Sequence, residues 1–153
     1  MQLNIIEAKR LLRMAIKAGR SALLIGSPGI GKTSCIRQLA QELNYGFTIY
    51  EASSLDPTDI RGVIVPVNGH SRFTKSPLMP DPEKNGEKGI LLIDEIASTT
   101  SLTQVALNAL FLERRLGEHR IPDGWIPMAT ANYVTDDAGA SRILTTLEDR
   151  VLL

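Results

Sequence analysis

Residues 26–33 read Gly26-Ser27-Pro28-Gly29-Ile30-Gly31-Lys32-Thr33 and meet the pattern G-x-x-x-x-G-K-[ST] at every position. An apolar run, SALLI at 21–25, leads into this octapeptide, and a helical pattern over 33–43 with Ile36, Leu39, Ala40 and Leu43 on one side follows it. Strand, glycine-rich turn, helix is the context in which this pattern cradles phosphate, and it leaves few other folds open. Gly29 and Gly31 let the backbone curl so that successive N–H groups converge on phosphate oxygens, and the helix N-terminus adds its positive dipole end. Lys32 is placed to reach β- and γ-phosphates, and the Thr33 hydroxyl can ligate Mg²⁺. Residues 26–34, Ser34 included, are therefore the predicted nucleotide-binding segment.

A second apolar run, ILLI at 90–93, ends in Asp94-Glu95. A buried strand that delivers two carboxylates at its C-terminal end puts them where ligands sit in open parallel sheets. Asp94 would hold Mg²⁺, and Glu95 would polarise an attacking water as general base. The plainer reading of the pair is a strand end running into a capped helix; the intact phosphate loop about sixty residues upstream favours the chemical one.

The remaining chain supplies the frame. Residues 4–18 read as an amphipathic helix with Asn4 as N-cap and Gly19 as stop, and 46–50 as a strand. Residues 55–89 hold five of the eight prolines and read as an insertion. Within it, 63–67 and 71–74 flank Asn68-Gly69, a hairpin signal, and Pro80, Pro82 and Asn85-Gly86 mark an exposed loop. With Arg61, His70, Arg72 and Lys75, this stretch reads as a solvated loop, the alternative being a contact with a substrate. Residues 101–116 read as a helix with Leu102, Val105, Ala106, Ala109, Leu110 and Leu116 facing the core. Asp123-Gly124 is the expected turn of a small hairpin into a strand at 126–131, with Trp125 as core or hairpin anchor. A short helix at 141–149 and a strand at 151–153 end the chain. Strands alternating with helices predict a doubly wound parallel α/β sheet.

Composition narrows the function. The 153 residues are 43% hydrophobic and 22% charged, with 17 basic and 17 acidic side chains balancing to zero net charge. A disordered or fibrous chain is excluded, and nothing indicates nucleic acid as a partner. The lone Cys35 reads as packing, and a reducing, cytoplasmic setting suits it. No apolar run approaches bilayer length, and a soluble, intracellular domain is expected. His70 and His119 have no second ligand at metal spacing.

The order GSPGIGKT, ILLIDEIA, PMATAN, LTTLEDRV resembles the AAA+ ATPases, closest to their MoxR-like, dynein-related branch. LDPTDIRG and FTKSPLMP agree with that branch, and TQVALNALFLERRLGEHR resembles a helix of the family. The resemblance covers the chain from Leu3 onward and implies a P-loop NTPase fold, the AAA+ large subdomain, with a β-hairpin insertion and with Walker A and Walker B motifs. It further implies ATP and Mg²⁺ as ligands, and a homo-oligomeric ring, a hexamer, that remodels a partner protein. By the same resemblance Asn132 is the polar sensor beside the γ-phosphate, and Arg150 the finger that reaches a neighbouring subunit's nucleotide, with Arg142 as the alternative. Arg114 and Arg115 become candidate inter-subunit contacts.

Family members carry a helical lid after this core, and no lid sequence follows Leu153, so the chain reads as a truncated core, weakly active alone. Three functions stay open: ATP-driven remodelling, a nucleotide-gated assembly module with little hydrolysis, and a GTP-using relative. An intact Glu95 disfavours the second, and the lack of an N-K-x-D base-reading motif disfavours the third.

Overall fold

A computed structural model of the chain describes residues 3–133. Asn4 opens helix α1 (Ile5–Lys17): its side-chain oxygen accepts from the Ile6 and Glu7 N–H groups, and Glu7 accepts from the Asn4 N–H in return. This capping box satisfies donors that the first turn leaves without partners. Ala8, Leu12 and Ile16 form the buried stripe of α1. Strand β1 (Ala22–Gly26) runs through the glycine-rich turn into α2 (Lys32–Glu42), and β2 (Gly46–Glu51) follows.

After β2 come the short helix α3 (Pro57–Arg61) and the hairpin β3 (Ile64–Val67) with β4 (His70–Phe73). Asn68 and Gly69 both have positive φ, 50° and 80°, as a tight two-residue turn requires. A helical turn α4 (Pro82–Asn85), the strand β5 (Gly89–Asp94) and helix α5 (Ser101–Glu113) lead to a two-residue-a-side hairpin, β6 (Arg115–Leu116) and β7 (His119–Arg120). Strand β8 (Trp125–Asn132) completes the described chain.

The main sheet has the order β1-β8-β5-β2 with every pair parallel. Period-two alternation divides its residues between two faces. Ile90, Leu92, Ile126 and Met128 pack under α1 and α2 against Leu12, Ile36 and Leu39. Leu91, Ile93, Trp125 and Ala129 pack on the other side against Ile60, Leu107 and Leu110. Helices cover both faces, which explains the uninterrupted apolar run of β5. The fold is the expected doubly wound α/β arrangement.

Trp125 anchors one end of the sheet. A Cβ on Gly89 would lie 2.5 Å from its ring and one on Gly46 2.9 Å, so both positions need glycine. Its indole N–H donates to Gly86 O at 3.0 Å, satisfying the single polar atom of a fully buried side chain.

Several local expectations are corrected. The helix expected over 101–116 stops at Glu113, because Arg114 turns left-handed (φ 59°) and Leu116 then dips into the core as part of β6. The small hairpin turns at Gly117-Glu118, not Asp123-Gly124. Gly124 instead packs inward, where a Cβ would sit 2.0 Å from Glu87 O. On α5, Leu102 and Val105 are 74% and 65% exposed rather than in the core. The helix is apolar around much of its circumference, so spacing alone does not choose its buried face. The choice falls on Thr103, Gln104, Leu107, Leu110 and Phe111; Thr103 donates to Leu55 O, and Gln104 to Ile96 O and Thr99 O. The region 80–86 is not a plain exposed loop: Pro80 is buried and Asp81 caps α4. Within residues 55–89, Leu55, Ile60 and Leu78 belong to the main core. The helix and strand expected at 141–149 and 151–153 lie outside the described residues, as do Arg142 and Arg150.

Candidate functional site

The polar groups meet at the C-terminal ends of β1, β5 and β8, and strand parity explains why. On β8 the face that carries Ile126 and Met128 under α2 continues with Thr130 and Asn132. On β5 the face of Ile90 and Leu92 continues with Asp94. Beyond the apolar layer, therefore, each strand offers a polar residue on the side where α2 begins.

Gly29 and Gly31 adopt φ 78° and 89°, and a Cβ on either would meet nothing within 4 Å. The loop is thus curled by left-handed glycines around open space, a cradle side chains do not fill. Gly31 caps α2 without any side-chain hydrogen bond, which leaves the first N–H groups of the helix to external acceptors.

Lys32 is only 5% exposed, and its ammonium donates to Gly26 O at 3.0 Å, Ser27 O at 3.0 Å and Asn132 Oδ1 at 2.6 Å. All three protons are engaged, so the buried charge is fully hydrogen-bonded. Thr33 Oγ1 donates to Asp94 Oδ1 at 2.9 Å and Oδ2 at 3.1 Å. Thr130 Oγ1 donates to Asp94 Oδ1 as well, and accepts from the Glu95 N–H at 3.0 Å. Glu95 itself is left-handed, with φ 55° and ψ 51°. Lys32, Thr33, Asp94 and Asn132 are thus brought into one hydrogen-bonded group, with Glu95 joined through its backbone.

The donor set suits the expected ligands. A hydroxyl and a carboxylate that already touch are hard oxygen donors of the kind Mg²⁺ takes. Among the described residues no cluster of three or more His, Cys, Asp or Glu forms a metal cage. A cavity of about 420 Å³ continues from Gly26, Ser27 and Lys32 to the apolar side chains Leu3, Ile5, Ile30 and Tyr133. A polar end beside the loop and an apolar wall beyond it match the two halves of a nucleotide.

Other residues have different employment. Arg114 is engaged within the chain: its guanidinium donates to Trp125 O at 2.9 Å and to Gly19 O, clamping the far end of the sheet. Burial pushes its pKa down. Arg115 is exposed and reaches Glu118 O. His119 Nε2 lies 3.0 Å from Phe73 O, which ties the small hairpin to β4, and His70 sits exposed at the other hairpin. Cys35 is buried, and that burial raises its thiol pKa. Thr130 escaped the sequence reading, although a hydroxyl inside the apolar strand, two residues before Asn132 and on its face, was a signal for it.

A family model described as AAA domain (dynein-related subfamily) matches residues 21–150. No curated protein matches. Among solved structures, a candidate ATPase from Cytophaga hutchinsonii is similar with a TM-score of 0.58 and 24% identity, over 86% of this chain and 39% of that one. NtrX from Brucella abortus is similar with a TM-score of 0.55 and 16% identity, over 95% of this chain and 32% of that one. The chain thus spans well under half the length of either, and at these identities the likeness concerns the fold.

Proposed function

The chain belongs to the AAA domains of the dynein-related subfamily, and from that premise we propose that it binds ATP with Mg²⁺ and hydrolyses it. The observation that carries this reading is the bond network in which Lys32, Thr33, Asp94 and Asn132 join the glycine-rich loop to two strand ends. In the proposed reaction the loop N–H groups of residues 26–34 and the Lys32 ammonium bind the phosphates. Thr33 and Asp94 hold the metal. When bound, Mg²⁺ offsets negative charge on the phosphate oxygens. Asn132 orients the attacking water and Glu95 takes its proton as the water oxygen bonds to the γ-phosphorus and the bond from that phosphorus to the β–γ bridging oxygen breaks, releasing ADP and phosphate. Leu3, Ile5 and Tyr133, which line the cavity beyond the loop, shield the adenine from solvent.

Remodelling of a partner protein by a ring of subunits, a hexamer, is the work proposed for the whole protein, with Arg150 or Arg142 acting across the ring. A cytoplasmic setting suits a protein whose one thiol is free and buried. No helix among the described residues is long and apolar enough to cross a membrane.

Binding of a fluorescent ATP analogue and release of phosphate test the reading together. Lys32→Ala should weaken nucleotide binding by about tenfold or more, since it removes charge-assisted bonds. Glu95→Gln should keep binding and lower phosphate release by about 10²-fold or more. Unchanged release by the Glu95 variant removes that residue from its role, and binding indifferent to Lys32 removes the site.

A further inference from the structure

We propose that Thr130 is the positioning residue of this site, a hydroxyl that fixes Asp94 and Glu95 relative to each other; this rests on the hydrolytic reading above. Thr130 is fully buried, in a strand whose neighbours Met128, Ala129 and Ala131 are apolar. Its hydroxyl has two partners, and their chemistry dictates its polarity. The Glu95 N–H can only donate, so Thr130 Oγ1 accepts there at 3.0 Å, which leaves its one proton for Asp94 Oδ1. The result is a directed chain from the Glu95 backbone through Thr130 to the Asp94 carboxylate, which Thr33 meets from the other side. A methyl in place of that hydroxyl leaves a donor without its partner and a carboxylate oxygen with one donor fewer.

The backbone gives the second reason. Glu95 is one of four non-glycine residues with positive φ among those described. L side chains seldom adopt this region, and at active sites such conformations persist where the surroundings over-determine them. The Thr130 hydroxyl holds the N–H of this very residue, so it acts on where the chain turns immediately after Asp94. The backbone turn at Glu95 is therefore held by a bond made from β8 rather than by the ladder of β5.

Two measurements on the ¹⁵N-labelled chain and its variants decide the matter. In Thr130→Val, nearly isosteric but without the hydroxyl, hydrogen exchange of the Glu95 amide should quicken by about tenfold. Thr130→Ser should recover the slow exchange. Turnover at saturating ATP should fall by about tenfold in Thr130→Val with KM changed less than about threefold, and recover in Thr130→Ser. Thr130→Ala serves the same comparison if valine prevents folding. An unaltered Glu95 exchange rate in the valine and alanine variants overturns the proposal, as does an equal loss in the serine variant, which would make Thr130 a packing residue. Should Glu95→Gln leave phosphate release unchanged, the hydrolytic reading fails while the exchange data still decide whether Thr130 holds Glu95.

Discussion

Asn132 Oδ1 accepts a hydrogen bond of 2.6 Å from Lys32 Nζ, joining the end of β8 to the first turn of α2 across one hundred residues of sequence. The bond occupies one of three ammonium protons, and the carbonyls of Gly26 and Ser27 take the others. A phosphate bound by Lys32 as proposed would therefore replace a partner that the ammonium already has. Asn132 is the replaceable one, being a side chain rather than the loop itself.

It follows that Asn132→Ala should not weaken nucleotide binding, because it frees a donor instead of removing one. Affinity for a fluorescent ATP analogue should stay within about threefold of the parent chain, while phosphate release falls by about tenfold or more. A large loss of affinity would mean that Asn132 holds Lys32 in its binding position and is not the water-orienting group.

Gly89→Ala tests the packing at the other end of the sheet. The added methyl would lie 2.5 Å from the Trp125 ring, in a strand buried on both faces where neither partner can move aside cheaply. Overpacking of this kind costs about 1–3 kcal/mol. Trp125 is the sole tryptophan, so its fluorescence in a urea titration reports the loss directly. A midpoint equal to that of the parent chain would show that the indole has room the structure does not indicate.

What the sequence made legible, and what it did not, follows one physical line. The strand–turn–helix around 26–33 and the strand that ends in the acidic pair were readable because glycines, an apolar run and a helical period stand at fixed spacing there. The parallel sheet was readable because ILLI, buried on both faces, has no polar position. Helix α5 misled because Leu102, Val105, Leu107 and Leu110 make it apolar on two sides, and only the partners of Thr103 and Gln104 decide which side turns inward. The hairpin at Gly117-Glu118 has two residues on each side, too few for an alternating pattern to show. Thr130 was missed because a lone threonine in a strand is usually packing, and its hydrogen bonds depend on two atoms brought beside it at the end of β5.

The two faces of α5 give a paired stability prediction. Leu102→Ser and Val105→Ser should each change stability by no more than about 0.5 kcal/mol, as surface substitutions do. Leu107→Ala, fully buried, should cost about 2–5 kcal/mol. Urea midpoints measure all three. A serine variant as costly as the Leu107 variant would put the sequence-expected face back in the core.

Cys35 gives the pH dependence. Burial raises its thiol pKa, outweighing the lowering effect of nearby Lys9. Below the ordinary thiol range the folded and unfolded chains both carry the proton, and the group adds no slope. Above that range the unfolded chain ionises first, so it binds fewer protons than the folded one, and stability falls as pH rises toward the folded pKa. The slope from this one group is bounded by about 1.4 kcal/mol per pH unit. Urea midpoints between pH 7 and pH 10 should therefore decline more steeply for the parent chain than for Cys35→Ala. Iodoacetamide should modify the native thiol far more slowly than the urea-unfolded one, since the thiolate is the reactive form and the folded site disfavours it. Parallel midpoint curves for parent and variant, together with rapid native alkylation, would mean that the thiol is open to solvent and α2 packs less closely on the sheet than the full burial of its Ile36 and Leu39 implies.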